Sequence, residues 1–151
     1  MARPSRSRSK PTNARTRARR ASVQALYQWQ STGQSPAEIE DQFIADRLEA
    51  ISGGVDFPYF KWLLYEVVRR HKTLDALYAR WLDRPPEQLD SIERVVLRLA
   101  VLELSERPEV PLRVVLNEAI ELAKMFGAEK SHRYINGVLD KAAHEIRPSG
   151  L

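Results

Sequence analysis

Apolar residues recur at helical spacing along most of this chain, starting near Arg15, where Val23, Leu26 and Tyr27 share a stripe able to face a core. Ser35-Pro36-Ala37-Glu38 reads as a capping box with Pro at the first helical position. It opens a second helix through Ile39, Phe43 and Ile44 that fades before Gly53-Gly54. Asp56 is the candidate N-cap of a third, in which Phe60, Leu63, Leu64, Val67 and Val68 keep the spacing of a buried face. Leu74, Leu77, Tyr78 and Trp81 repeat that spacing before Arg84-Pro85-Pro86 forbids further helix and sets a boundary near residue 84. Asp90-Ser91-Ile92-Glu93 is another capping box, leading into Val95–Leu104, which is apolar round most of its circumference and so belongs at the centre of a bundle. Val114, Val115, Ala119, Ile120, Ala123 and Phe126 form one more stripe, closed by Gly127 as a C-terminal cap. A last helix runs from about Lys130 to Ile146, with Pro148 as its stop and Gly137 permitting close approach of a neighbour. No segment sustains two-residue alternation. The expected fold is all-α, about seven helices and no sheet, with residues 14–84 and 85–148 as two packed helical subdomains behind a flexible basic arm at 1–13.

Charge changes this picture at one end only. The net charge of the 151 residues is +4, yet residues 1–20 hold eight of the 24 Lys and Arg and no acid, the first carboxylate being Glu38. The remainder carries 16 basic and 20 acidic side chains, so the high pI of about 9.6 belongs to the N-terminus. A concentrated cationic segment on a mildly acidic body suits a polyanion, because each neutralised phosphate releases a condensed counterion. Arginine near a helix N-terminus opposes the macrodipole, so Arg15, Arg17, Arg19 and Arg20 are poorly explained by helix stability and better by binding. The chain has no cysteine, which removes disulfides, thiolate nucleophiles and sulfur-ligated zinc and is compatible with a reducing cytoplasm. It has no apolar run of membrane-spanning length and no secretion-signal pattern.

Catalytic constellations are missing from the pattern. His71, His132 and His144 fall in separate helical contexts without metal-ligand spacing, and Glu118 and Glu121 read as a solvated helix face rather than an acid–base pair. No phosphate-cradling glycine loop follows a strand. No metal or cofactor is expected. The segment 127–134 is more informative, placing Lys130, Ser131, Arg133 and the stacking-capable Tyr134 at a helix start, whose free N–H groups receive phosphate.

The blocks Arg15–Trp29, Ile92–Ala100, Val110–Lys124 and Phe126–Lys141 resemble, in order and spacing, the NusB family of transcription antitermination factors, over about residues 15–148. The resemblance implies a two-subdomain helical fold and a non-enzymatic adaptor. That adaptor pairs with NusE, a small-subunit ribosomal protein, binds single-stranded boxA RNA, and helps the RNA polymerase antitermination complex read through terminators, notably in ribosomal RNA operons. Carried over by residue, the RNA-binding positions are Arg15, Arg17, Arg19, Arg20 and Tyr134, coinciding with the patches above. The partner-facing positions are Tyr27, Glu87 and Glu93. The residues themselves leave core packing open for Tyr27 and Tyr134 and capping open for Glu93. Lys130 stands where relatives often carry an acid, an expected gain in phosphate attraction and a lessened dependence on the partner. Two rival readings are a detached NusB-like domain of an RNA cytosine methyltransferase, against which the missing Cys and cofactor domain count, and a protein-binding helical scaffold, which leaves the charge asymmetry unexplained.

Overall fold

The computed structural model describes residues 12–46, 51 and 53–151; the expectation of a flexible arm at 1–13, with Arg3, Arg6, Arg8 and Lys10, therefore lies almost wholly outside the described residues. Six α-helices are described: α1 Ala14–Thr32, α2 Pro36–Asp46, α3 Phe57–Tyr78, α4 Ser91–Glu106, α5 Leu112–Phe126 and α6 Ser131–Ile146. Two 3-10 turns, Ala79–Trp81 and Pro86–Gln88, fill the connection from α3 to α4, and no strand occurs among the described residues. None of these helices is long and apolar enough to cross a membrane.

The caps expected at Ser35, Asp56 and Asp90 form, and Asn13 supplies one that the pattern did not single out. Asn13 accepts from the Thr16 amide at 2.7 Å, Asp56 from Tyr59 at 3.1 Å, and Ser35 and Asp90 each close a capping box with the Glu three residues on. The runs centred on Leu64 and Leu74 form one helix, α3, kinked at Arg70 (φ −116°, ψ 18°), rather than two. Helix α4 is central: Val95 to Leu104 are all buried, and α1, α3, α5 and α6 pack around it.

Three buried arginines tie the bundle together. Arg98 on α4 makes a bidentate pair with Asp75 of α3, both bonds at 2.8 Å, and reaches Gln30 of α1 at 2.9 Å. Arg147, just past α6, donates only to backbone carbonyls, those of Glu103, Leu104, Arg107, Val110 and Leu151, and so satisfies the open C-terminal end of α4. Arg19 pairs with Glu103, as described below.

Gly127 caps α5 as expected, donating its amide to the Ala123 carbonyl at 2.9 Å, but its conformation is not the usual one, and Gly137 does not act as the pattern suggested. Gly127 is extended (φ −90°, ψ 175°), not left-handed; what it supplies is space, since a Cβ there would stand 2.7 Å from the Ala123 carbonyl oxygen. Gly137 has nothing within 4 Å of a Cβ, so it mediates no close helix approach. Opposite outcomes are expected for the same substitution. Gly137→Ala should add roughly 0.5–1 kcal/mol by its better helix propensity, whereas Gly127→Ala should cost about 1–3 kcal/mol by overpacking. Urea midpoints of the two variants check both signs.

Candidate nucleic-acid interface

Helix α1 runs antiparallel to α4, with Arg19 beside Glu103 near one end and Gln30 beside Ser91 near the other. This arrangement separates the expected site residues. Arg15, Arg17 and Arg20 gather at the end of α4 near Glu103, while Lys130 to Tyr134 lie at its start, near Glu93. Ten residues of helix, about 15 Å, lie between the two levels.

At the first end, the Arg15 guanidinium lies 4.1 Å from the centre of the Tyr59 ring, with Asp56 3.6 Å away. Arg17 is a staple as well as a cation: it donates to the carbonyls of Thr12, Gly53 and Gly54 and to the Thr12 hydroxyl, at 2.6–3.0 Å. Gly53 and Gly54 hold φ of 84° and 80°, the left-handed region that favours glycine, and so present both carbonyls to it. None of those acceptors carries a formal charge, and Arg17 has no ion-pair partner among the described residues. Arg20 is half-buried and has no ion-pair partner among the described residues.

Arg19 departs from the expectation. It is buried, donates through Nε and Nη2 to both oxygens of Glu103 at 2.8 Å, and reaches Glu118 through Nη1 at 3.1 Å. Burial alone would lower its pKa, but the Glu103 carboxylate overrides this and holds it above the ordinary value. Tyr59 donates its hydroxyl to the same carboxylate, and burial followed by the Glu103 charge pushes the phenol pKa up. Arg19 is thus a core cation rather than a phosphate contact. Glu118, read as solvated, is instead tied to Arg19 and to the Thr16 hydroxyl.

At the second end, Lys130 caps α6 from a left-handed conformation (φ 74°) without a side-chain hydrogen bond, and it and Arg133 are exposed. Ser131 is buried and gives its hydroxyl to Glu93 at 3.1 Å, which removes it from the solvent-facing set. Glu93 itself is buried, with its other carboxylate oxygen accepting from the Asp90 amide. Capping and bracing of α6 therefore account for Glu93, and the expectation of a partner-facing side chain does not fit its position. Tyr134 is half-buried. Its hydroxyl donates to Asp83 at 2.9 Å, and Arg84 covers its ring at 4.8 Å. Hydrogen bonds from Arg84 and then Tyr134 hold the Asp83 carboxyl below the usual range. Arg84, which fixes the ring, was missed from sequence because the linker and α6 meet only in three dimensions.

Tyr27 is 46% exposed and not in the core. With Val23, Gln24, Gln28, Ile92 and Phe126 it lines a mostly apolar groove of about 550 Å³ between α1, the start of α4 and the end of α5. Glu87 is exposed on the Pro86–Gln88 turn at this same end. Among the described residues no group of three His, Asp or Glu could hold a metal ion.

The sequence pattern of the NusB family matches residues 16–144. The transcription antitermination protein NusB of Sodalis glossinidius is 52% identical over 136 residues, covering 90% of this chain and 96% of that one. The NusB of Nitrosococcus oceani is 48% identical over 136 residues, covering 90% and 89% respectively. Among solved structures, Thermotoga maritima NusB superposes with a TM-score of 0.76 at 28% identity, over 92% of this chain and 96% of that one. A crystal structure of the antitermination factors NusB and NusE in complex with double-stranded RNA gives 0.74 at 25% identity, over 86% and 96%. With half its residues shared with curated relatives across nine-tenths of its length, and with their helical fold, the chain belongs to the NusB family.

Proposed function

We propose that this protein is a non-enzymatic, cytoplasmic antitermination factor that binds single-stranded boxA RNA together with NusE and promotes readthrough by RNA polymerase, above all in ribosomal RNA operons. The observation that carries this reading is the cluster of arginines at the start of α1. Arg15, Arg17 and Arg20 sit where the basic arm joins the bundle, and among the described residues the acids nearest to them do not neutralise the set. Arg19 holds the helix in place beneath them. Lys130 and Arg133, with the ring of Tyr134 fixed by Arg84, supply a second contact along the bundle, so that a strand of RNA can lie across both ends. NusE is assigned to the groove bearing Tyr27, with exposed Glu87, on the turn before α4, as a further contact outside that groove. An exposed aromatic in an apolar groove is the kind of anchor that dominates protein interfaces.

Titrating a single-stranded boxA RNA with the protein alone, and then with NusE added, tests the two partners together. Tighter binding with NusE, and weak competition by an RNA duplex, are expected. Equal competition by the duplex, or no response to NusE, would contradict the reading. Lys130→Asp gives a separate check on the second contact. Losing one phosphate contact costs about five-fold in affinity near 0.1 M salt, since each contributes roughly 0.7 log unit there. Asp tolerates the left-handed region and favours a helix N-terminus, so the thermal midpoint should not fall.

A further inference from the structure

Beyond the arginines at the start of α1, the same end of the bundle carries a second chemistry. Arg15, Tyr59, Arg107 and Trp62 form a continuous stack of guanidinium groups and rings. Arg15 lies 4.1 Å from the Tyr59 centroid, and Arg107 lies 5.2 Å from Tyr59 and 4.1 Å from Trp62. The two rings are 5.4 Å apart, tilted by 41°. Tyr59 is buried and its hydroxyl is committed to Glu103, so it anchors the stack. Trp62 and Arg107 are its open edge, each half-buried.

Neither open group is needed where it stands for charge balance. The carboxylate nearest Arg107 among the described residues is Glu109, at 3.6 Å and itself mostly exposed. A comparable pair elsewhere on the bundle differs: Arg80 covers Trp81 at 4.5 Å but is held by Glu145 at 2.5 Å. Trp62, on the second turn of α3, is a large aromatic left partly in water beside a cation with its hydrogen bonds largely unspent. Single-stranded nucleic acid is gripped by this combination, an aromatic face for a base and a guanidinium for the adjoining phosphate.

We propose that Trp62 and Arg107 form a base-stacking and phosphate-binding platform that carries single-stranded RNA from the arginines of α1 over the start of α3. The proposal rests on the RNA-binding reading above and extends its footprint to a face that the arginine-rich segment does not reach. Trp62 supplies a sequence-tolerant stacking surface, and Arg107 neutralises one phosphate.

The two residues have different signatures. Loss of one stacked base weakens binding about 5- to 150-fold without changing the salt dependence, whereas loss of one phosphate contact lowers the slope of log K against log salt by about 0.7. The test measures the boxA RNA affinity of the full-length protein against salt for wild type, Trp62→Ala, Trp62→Phe and Arg107→Gln. It is joined by tryptophan fluorescence of wild type and Trp62→Phe on adding RNA. The expected results are weaker binding at unchanged slope for Trp62→Ala, partial rescue by Phe, a shallower slope for Arg107→Gln, and RNA-induced quenching lost in Trp62→Phe. Wild-type binding with Trp62→Ala within two-fold of it, or quenching that persists in Trp62→Phe, overturns the platform and leaves the α1 reading standing. Should Trp62→Ala fail to fold, the quenching comparison decides alone. Absence of RNA binding by wild type overturns both.

Discussion

Arg19→Ala is expected to lower stability by about 3–5 kcal/mol, because it strands the Glu103 carboxylate in the core beside the Tyr59 hydroxyl. Both side chains of the pair are at least 96% shielded from solvent, at 4% and 3% relative exposure. Water cannot replace the lost guanidinium without opening the packing of α1 on α4. Domains of this size are held by about 5–15 kcal/mol in total, so the variant should sit close to its unfolding transition at room temperature. Urea denaturation followed by circular dichroism checks this. A loss below about 1 kcal/mol would mean that Arg19 is solvated and available to RNA after all.

The second large effect is on binding rather than folding. Replacing Arg15, Arg17 and Arg20 together by Gln should weaken boxA RNA binding about 100-fold near 0.1 M salt, from three phosphate contacts at roughly 0.7 log unit each. Arg19 is left intact in this variant, so α1 keeps its anchor. Glutamine at position 17 retains a donor for the Gly53 and Gly54 carbonyls, and helical content should be preserved. Electrophoretic or anisotropy titration at fixed salt, beside a circular dichroism spectrum, separates loss of charge from loss of fold. An affinity within about three-fold of wild type would remove the start of α1 from the interface.

The contrast between Arg19 and its neighbours shows what was legible in the sequence. Helix boundaries were, because the Ser35, Asp56 and Asp90 caps are local chemistry and act within three residues. The central place of α4 was legible too, since a helix apolar on all sides has nowhere else to go. The burial of Arg19 left a trace that charge counting obscured: Arg19, Ser22, Val23 and Leu26 keep the i, i+3, i+4, i+7 spacing of a buried face. Glu103, set in the apolar run of α4, requires a buried cation as its counterpart.

Other features depend on contacts between distant segments. The covering of Tyr134 by Arg84, the bracing of Ser131 by Glu93 and the Trp62–Arg107 stack each join residues that no local pattern connects. Tyr27 illustrates the limit of periodicity. It lies next to Leu26 on the margin of the buried stripe, and which side of that margin is covered depends on how Phe126 and Ile92 approach α1. Here the approach leaves a groove, so a residue that pattern alone placed against the core stands exposed.

The central claim is that the bundle grips RNA through a few phosphates held by surface arginines and lysines at its two ends. Measuring the boxA RNA affinity of the wild-type protein between 50 and 200 mM salt tests it most directly. Arg15, Arg17, Arg20, Lys130 and Arg133 together predict a linear fall of log K with log salt of slope about −3.5 or steeper. A slope shallower than about −1, or no binding at 50 mM salt, would contradict the account.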